Sequence, residues 1–310
     1  MTPPLSVSVV IPSLDQARFL PAAIDSVLAQ DHRPLDLVVM DGGSRDGTID
    51  ILRGYGDAVR WVSAPDAGQA AAINAGWRAS GGDVIAWLNA DDAYLPDAVS
   101  AAVAALEADP DLDLVYGDGH YCDEKGRFLR AYPTEPFDYA RLVGRAVCYI
   151  PQPATFLRRR VLEAEGPLDE SLHYALDLEY WLRLGAGGRR FRHLPVALAA
   201  LRLHPAAKSI RHLAAFAPEV VGIYERLARR GSALDPALLR RGLSRAHYRA
   251  SQCLFWSGRF AEARVHAWRS WRLDPLHVRP LMRALMGGAT ARAVLERWRG
   301  NPFTAGVGPA

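Results

Sequence analysis

Cysteine is scarce in this 310-residue chain, and its three cysteines, Cys122, Cys148 and Cys253, lie far apart. Their odd number and wide spacing exclude a disulfide framework and a zinc site built on cysteine pairs. No apolar run approaches the ~18–20 residues that a membrane-spanning helix requires. The first residues, MTPPLSVSVVIP, lack the basic start and cleavage site of a secretion signal. We therefore expect a reduced, cytoplasmic protein.

Acidic residues are scarce in the last third of the chain. Residues 1–210 contain 20 basic and 28 acidic side chains, whereas residues 211–310 contain 17 arginines and 6 acids. This asymmetry predicts two modules, at 1–210 and 211–310, with different partners. Two solvated surfaces of opposite sign that dock on each other would give the same pattern. Nucleic acid is not an expected partner, because no recognised nucleic-acid-binding module is present.

Short apolar runs alternate with helical patterns over the first hundred residues. Four runs predict buried strands: SVSVVI (6–11), LDLVVMD (35–41), VRWVSA (59–64) and DVIAWLN (83–89). Three segments between them predict helices: 18–30, 46–54 and 69–79. This alternation is typical of an α/β fold with a doubly wound, mostly parallel sheet. Ligands bind such sheets at the carboxyl ends of the strands, where three of these strands end in polar clusters.

The pattern loosens after residue 110. The segments 113–121 and 126–132 predict a hairpin, and residues 133–155 read as irregular. Further elements are predicted as helices at 158–166 and 175–188 and as one or two strands within 191–204. The sheet module therefore extends to about residue 210.

Residues 211–310 are predicted to form a helical extension, in which 245–275 resembles one tetratricopeptide-like helix pair. A single repeat cannot bury its own apolar face, so it must dock on the first module, on a second copy of the chain or on a partner. Peripheral attachment at the inner face of the membrane is the alternative, because cations and aromatics are interleaved there. The residues concerned are Arg269, Trp271, Arg272, Arg292, Arg297, Trp298 and Arg299.

The acidic pair Asp91-Asp92 follows the fourth predicted strand directly. Two adjacent carboxylates either repel each other or share a cation. Oxygen ligands of this kind suit Mg²⁺ or Mn²⁺, with water and phosphate oxygens in the remaining positions. Capping of the next helix by one of the two acids is the structural alternative, and both roles are compatible.

A glycine-rich turn, residues 40–48, follows the second predicted strand. Its glycines let the backbone approach a ligand closely, and Asp41 can accept hydrogen bonds from a base or a ribose. The segment contains neither the Gly-Lys-Ser/Thr of a phosphate-binding P-loop nor the dinucleotide fingerprint. A tight turn with Asp46 as a helix cap is the alternative interpretation.

Taken together, these segments resemble family 2 of the inverting glycosyltransferases, which have the GT-A fold. The resemblance runs in order and spacing across residues 6–100 and continues through 149–185. Its motifs are VSVVIPSLDQARFLPAAIDSVLAQ, LVVMDGGSRDGT, PDAGQAAAINAG, GDVIAWLNADD and YIPQPATFLRRRVLEAEGPLDESLHYALDLEYWLRLG. The resemblance implies a metal-dependent transfer of a hexose-type sugar from a nucleoside-diphosphate sugar, taken to be UDP-linked, to a glycan or lipid-linked acceptor.

By the same resemblance, the base and ribose of the donor are bound by Pro12, Ser13 and Asp41. The loop residues Asp66 and Gln69 would help to close that pocket. Gly42 departs from the family pattern, because many members carry a second acid there that can contact the base. The identity of the base therefore stays open.

The resemblance also assigns the diphosphate and acceptor side. Asp91 would face the ribose or sugar, whereas Asp92 would hold Mn²⁺ or Mg²⁺ together with His204. Gln152 would lie beside the donor sugar. The family motif begins with an acid where this chain has Asn89, so coordination is expected to depend on Asp92.

Asp177 matches the catalytic base of the family, and its local sequence agrees. It lies near the start of a helix, where partial burial would raise its pKa. Trp181 shares its helical face and is expected to stack on a sugar ring. Glu179 is expected to be solvated. A plain N-terminal charge on a helix dipole is the structural alternative for Asp177.

Two other functional classes are alternatives to a glycosyltransferase. A sugar-nucleotide-binding or scaffold protein without activity is disfavoured, because Asp91, Asp92 and Asp177 are all present. A sugar-1-phosphate nucleotidyltransferase would need a glycine-rich loop with Arg and Lys after the first strand, where this chain has PSLDQ.

Overall fold

The computed structural model describes residues 3–229 and 234–280. The chain forms two compact units. The first unit comprises the chain up to residue 137 and residues 148–204, and the second comprises residues 138–147 and the chain from residue 205. The segment 138–147 therefore leaves the first unit and returns to it. Every residue proposed above for the site lies in the first unit.

The described residues form one nine-stranded sheet. Its strands are β1 (Val7–Ser13), β2 (Leu35–Asp41), β3 (Arg60–Ser63), β4 (Val84–Trp87), β5 (Ala93–Tyr94), β6 (Leu114–Cys122), β7 (Phe128–Ala131), β8 (Thr155–Arg158) and β9 (Phe191–Arg202). They lie in the order β3-β2-β1-β4-β8-β6-β9-β5, and β7 pairs with β6. The first four strands are parallel, whereas β8 is antiparallel to both of its neighbours. The predicted α/β fold class with C-terminal helices is confirmed.

The helices are α1 (Leu20–Leu28), α2 (Thr48–Gly54), α3 (Gln69–Ala79), α4 (Ala98–Ala108), α5 (Tyr139–Arg145), α6 (Arg159–Glu165), α7 (Leu176–Ala186), α8 (Lys208–Arg211), α9 (Phe216–Arg229), α10 (Pro236–Trp256) and α11 (Phe260–Leu273). Of these, α5 and the helices from α8 onward belong to the second unit. The helix α3 and the strand β2 begin and end at the residues that the sequence predicts. The strand β8 was not predicted, because it is four residues long and directly precedes a helix.

The parallel strands carry helices on both faces of the sheet. On one face, Val9 and Ile11 of β1 pack in a cluster with Leu20 and Ile24 of α1. On the other face, α3 approaches β1 so closely at Gly76 that a Cβ atom there would lie 2.5 Å from Val10 Cγ1. Period-two alternation of buried side chains explains how one strand serves both faces. The sheet is therefore doubly wound in this region.

The second unit packs α10 against α11 in antiparallel orientation. Ser244 Oγ donates to the Ser270 carbonyl over 2.8 Å, and the Nδ1 atoms of His247 and His266 lie 3.0 Å apart. Burial is the largest cause that lowers the pKa of both histidines, that of His247 to about 4. Tyr224 of α9 donates to the Leu142 carbonyl over 2.9 Å and so ties α5 to this unit.

The predicted surface roles of residues 211–310 stay predictions. Arg269, Trp271 and Arg272 lie on α11, whereas Arg292, Arg297, Trp298 and Arg299 lie outside the described residues. Within residues 3–229 and 234–280, no helix combines the length and the apolar character needed to cross a membrane.

Gly81 and Gly82 precede β4 and differ in how closely the protein packs around them. A Cβ atom at Gly82 would meet the Ser8 backbone nitrogen at 2.6 Å, whereas a Cβ atom at Gly81 would meet nothing within 4 Å. We expect Gly82→Ala to lower the free energy of unfolding by about 1–3 kcal/mol, because β1 must shift to make room. Gly81→Ala should change it by less than about 0.5 kcal/mol. Denaturant unfolding of both variants checks this, and equal losses would contradict it.

Candidate active site

The ends of β1, β2 and β4 meet at one edge of the sheet. Because β1 lies between β2 and β4 and is parallel to both, their carboxyl ends are adjacent. Ser13 pairs in register with Asp41, and the Gly42 N–H donates to the Ser13 carbonyl over 2.8 Å. Pro12 and Ser13 are both buried. The Ser13 hydroxyl is buried and has no hydrogen-bond partner among the described residues, so its bonding capacity is unused within the protein.

Asp41 holds the glycine-rich turn in place. Its Oδ2 accepts hydrogen bonds from the backbone N–H groups of Gly43 and Ser44, over 3.0 and 2.9 Å, and from the Ser63 hydroxyl over 2.6 Å. Its Oδ1 accepts from the Ser44 hydroxyl. Most of its accepting capacity is therefore used within the protein, and Oδ1 is the atom with capacity left for a ligand.

Asp66 lies where a side chain at residue 42 would stand. Its Oδ2 is 3.0 Å from the position that a Cβ atom at Gly42 would take. The Gly68 N–H donates to its other carboxyl oxygen, Oδ1, over 2.8 Å. A side chain at residue 42 would therefore meet the carboxylate of Asp66.

The amide of Asn89 connects three parts of the site. Its Oδ1 accepts from Gln69 Nε2 over 2.7 Å, and its Nδ2 donates to Asp92 Oδ2 over 3.0 Å and to Gln152 Oε1 over 3.1 Å. Gln152 in turn donates to the Trp87 carbonyl at the end of β4 over 2.7 Å. Gln69 and Gln152 therefore fix the segment that carries the acidic pair.

Asp92 is turned into the protein. The carboxyl is buried and accepts from the backbone N–H of Arg202 over 3.0 Å as well as from Asn89. Burial, followed by the charge of Asp91, raises its pKa to about 8. These contacts leave Asp92 poorly placed to present a charged oxygen to an ion in the cleft.

Asp91 faces His204 instead. Asp91 Oδ2 lies 3.0 Å from His204 Nε2, and the aspartate side chain is 24% exposed. The histidine ring packs on Phe19, with ring centroids 4.5 Å apart. His204 thus contacts the first acid of the pair and not Asp92, with which the sequence analysis grouped it.

The donor set at Asp91 and His204 fits a divalent cation. One carboxylate and one imidazole suit Mn²⁺, whereas Mg²⁺ favours oxygen ligands throughout. Over the part of the chain that the structure describes, no three His, Cys, Asp or Glu side chains are grouped closely enough to hold a metal by themselves. Two protein ligands would leave the remaining positions to diphosphate oxygens and water.

Asp177 lies in the first turn of α7. Its Oδ1 accepts the Leu178 N–H over 2.8 Å. Only a minor part of the residue is exposed, and burial of the carboxyl raises its pKa above the ordinary 3.8, against the lowering effect of the backbone hydrogen bonds. The direction is the one expected of a general base that works near neutral pH.

Two expectations near Asp177 were wrong. Trp181 is fully buried and stacks on Trp87, with ring centroids 5.7 Å apart, so it cannot stack on a sugar. Glu179 is not solvated but pairs with Arg183 at 3.0 Å. Helical spacing identified the face that Trp181 shares with Asp177, but the packing of β4 behind α7 decides its burial.

Three residues on or next to β6, β7 and β9 were not predicted as part of the site. Arg202 donates its backbone N–H to Asp92, and its Nε donates to the Asp91 carbonyl over 2.9 Å. Tyr121 and Tyr132 pack on each other, with ring centroids 5.4 Å apart. The alternation of the predicted 113–121 and 126–132 hairpin was the signal that could have placed both tyrosines on one face.

Each of the two tyrosines lies within electrostatic range of one site carboxylate. Burial is the largest cause that raises the pKa of Tyr121, to which the charge of Asp92 adds; burial and then the neighbouring Cys148, Tyr121 and Asp177 raise that of Tyr132. The packing of Trp181 of α7 on Trp87 of β4 brings α7 to the strand that precedes the acidic pair.

Two solved structures share this architecture. S. aureus TarS 1–349, solved in complex with UDP-GlcNAc, aligns with a TM-score of 0.66 at 15% identity over 96% of this chain and 92% of that one. The mannosyltransferase PcManGT from Pyrobaculum calidifontis, solved with GDP-Man and Mn²⁺, aligns with a TM-score of 0.62 at 18% identity, covering 98% of this chain and 88% of that one. These likenesses show the GT-A fold.

The sequence of the chain is also similar to those of glycosyltransferases. An uncharacterised glycosyltransferase of Nostoc sp. is 31% identical over 53% of this chain and 54% of its own length. Chondroitin synthase of Escherichia coli is 28% identical over 67% of this chain and 30% of its own. The chain thus spans about half the length of the first of these relatives. The model of Glycosyl transferase family 2 matches residues 8–166, which is half of the chain, and the chain belongs to this glycosyltransferase family.

Proposed function

We propose that this chain is an inverting glycosyltransferase that moves a sugar from a UDP-linked donor to a hydroxyl group of a glycan or lipid-linked acceptor, in glycan or polysaccharide synthesis. The observation that carries the proposal is the partly buried Asp177 carboxyl on α7, a helix that packs through Trp181 on Trp87 at the end of β4, two residues before Asn89. Family membership supplies the reaction class, and the similarity to chondroitin synthase supports a glycan product.

The nucleoside would bind at the ends of β1 and β2. The unpartnered Ser13 hydroxyl and the remaining capacity of Asp41 Oδ1 suit a ribose or a base. Asp66 Oδ1 accepts the Gly68 N–H, whereas the described residues supply no donor to Oδ2, so Oδ2 is the oxygen better placed to accept from a base. A single free oxygen matches the one ring N–H of uracil, and TarS with UDP-GlcNAc supports the same base.

A divalent cation would be held by Asp91 and His204. We favour this pair over Asp92, because Asp92 is buried and its carboxyl is used by Asn89 and Arg202. The carboxylate–imidazole donor set favours Mn²⁺, which PcManGT binds beside GDP-Man. The ion, when bound, would neutralise charge on the departing diphosphate.

Asp177 would act as the general base. Its carboxylate removes the proton of the acceptor hydroxyl as that oxygen attacks the anomeric carbon. The bond from the anomeric carbon to the diphosphate oxygen breaks, and UDP leaves with the electron pair. One displacement from the opposite face inverts the anomeric configuration, and no covalent intermediate is required.

Replacement of the base separates chemistry from donor binding. We expect Asp177→Asn to slow hydrolysis of a UDP-sugar donor by about 10²–10⁴-fold, because general-base catalysis contributes that much. The dissociation constant of UDP should stay unchanged in calorimetry. Glu163→Gln, which removes an exposed acid on α6, is the matched control and should keep the wild-type rate. Normal turnover by Asp177→Asn would exclude this residue as the base.

Asp177 should also make the reaction rate depend on pH. Because the base must be ionised and its pKa is raised, the wild-type rate should fall as the pH drops through a midpoint above the ordinary 3.8. The residual rate of Asp177→Asn should lack this acidic limb. Identical pH profiles for the two proteins would contradict the assignment.

Metal-ligand variants test the choice between the two adjacent acids. We expect Asp91→Asn and His204→Ala each to weaken Mn²⁺ binding in the presence of UDP by about tenfold or more. Asp92→Asn should retain more of the affinity, because its carboxyl bonds to the protein. Titration of free Mn²⁺ by electron paramagnetic resonance measures this without an acceptor. If only Asp92→Asn lost Mn²⁺ affinity, the metal ligand would be Asp92 and not Asp91.

A further inference from the structure

The β6–β7 hairpin presents one face with two tyrosines and an arginine. Tyr121 of β6 pairs directly with Arg130 of β7 in the antiparallel register. Tyr132 follows Arg130 by two residues, and its N–H continues the pairing by donating to the Gly119 carbonyl over 2.8 Å. Side chains two residues apart on a strand share a face, so Tyr121, Arg130 and Tyr132 lie together.

These three side chains are held in contact with each other. The Arg130 guanidinium carbon lies 4.2 Å from the centroid of the Tyr121 ring, and the Tyr121 and Tyr132 centroids lie 5.4 Å apart. The Tyr132 hydroxyl donates to the Cys148 carbonyl over 3.0 Å, which fixes that ring. All three residues keep part of their surface exposed. We call this set the hairpin platform.

The hairpin platform lies beside the proposed base. The Tyr132 hydroxyl bonds to the Cys148 carbonyl, and four residues later Gln152 donates to the Trp87 carbonyl. Trp87 stacks on Trp181, which lies one turn after Asp177 in α7. Burial raises the pKa of Cys148 and Tyr132, and the charge of Asp177 accordingly adds to the shift of both. At its other end, Tyr121 is close enough to Asp92 for that charge to act on the phenol. A hydroxyl that reaches Asp177 therefore brings the rest of its molecule over this surface.

Arg130 differs from the other arginines of the hairpin region. Arg127 pairs with Asp123 at 2.6 Å, Arg18 pairs with Glu124, and Arg202 donates to three backbone carbonyls. Within residues 3–229 and 234–280, no carboxylate lies within the 4.0 Å of an ion pair from Arg130. The guanidinium stacks on the Tyr121 ring and also acts on its hydroxyl as a hydrogen-bond donor, which leaves the remaining N–H groups of its five for another group.

We propose that the hairpin platform binds the acceptor, that sugar rings pack on Tyr121 and Tyr132, and that Arg130 binds an anionic group of the acceptor, a carboxylate or a phosphate. This inference rests on the proposed function, because it places the acceptor beside Asp177. Aromatic rings pack against the apolar faces of sugars, and a planar guanidinium binds carboxylate and phosphate through paired hydrogen bonds. The preferred acceptor is therefore an acidic glycan.

Binding of small sugars tests the role of Arg130. The probes are methyl β-glucuronide, glucose 6-phosphate and neutral methyl β-glucoside, with UDP and Mg²⁺ present, measured by ligand-observed NMR. At least one anionic sugar should bind wild-type protein about tenfold more tightly than the neutral sugar. Arg130→Gln should remove that preference and leave the affinity for the neutral sugar unchanged. The better anion identifies the group as carboxylate or phosphate.

Two variants control for changes in folding and general charge. Arg127→Gln removes an ion-paired arginine from the same hairpin and should keep the wild-type preference. Arg130→Lys keeps the charge without the paired donors and should restore part of the preference. A preference that survives in Arg130→Gln would overturn the proposal.

Two other outcomes also overturn the proposal. One is that neither anionic sugar binds wild-type protein better than methyl β-glucoside. The other is that Arg130→Gln weakens UDP binding about tenfold, because Arg130 would then serve the donor diphosphate. Failure of wild-type protein to bind UDP at all would instead contradict the proposed function, so the two failures are distinguishable.

Discussion

The Asn89 amide is the interaction on which the site depends. It accepts from Gln69 at the start of α3 and donates to Asp92 and to Gln152, so its oxygen and its nitrogen are both used. Asn89 is partly buried, and hydrogen bonds to its amide avoid the cost of about 1–3 kcal/mol for an orphaned buried donor or acceptor. The network therefore fixes Asp92 inward and leaves Asp91 to face His204. An aspartate at position 89 would lack the N–H donors that hold Asp92 and Gln152.

The sheet brings distant segments to this network. Parallel pairing of β2, β1 and β4 aligns Asp41, Ser13 and Asn89 at one edge. These residues are far apart in the sequence, because Asn89 follows Ser13 by 76 positions. The strand β9 then adds Arg202, whose backbone N–H reaches Asp92, and His204 follows directly after that strand. The hairpin of β6 and β7 holds Tyr121 against Tyr132. The proposed roles at the acidic pair therefore follow from positions at the strand ends, whereas Asp177 is carried by α7.

Local pattern was sufficient to predict every strand except the short β5 and β8, the helix α3 and the strand ends that carry polar residues. It was not sufficient to separate the roles of Asp91 and Asp92, because adjacent residues share every local feature and a contact from β9 decides between them. The prediction that Trp181 stacks on a sugar was wrong for a similar reason, because helical spacing defines a face of a helix but not which residues cover that face. The space that Asp66 takes above Gly42 depends on two loops meeting, which no local motif records.

The most direct test of this account is the position of Mn²⁺ in crystals of the protein grown with UDP. Anomalous diffraction at the manganese edge locates the ion independently of any assumed ligand. The account predicts a single peak within about 2.5 Å of an Asp91 carboxyl oxygen and His204 Nε2, with Asp92 still bound to Asn89. A peak on Asp92, with its hydrogen bonds to Asn89 and Arg202 broken, would contradict it.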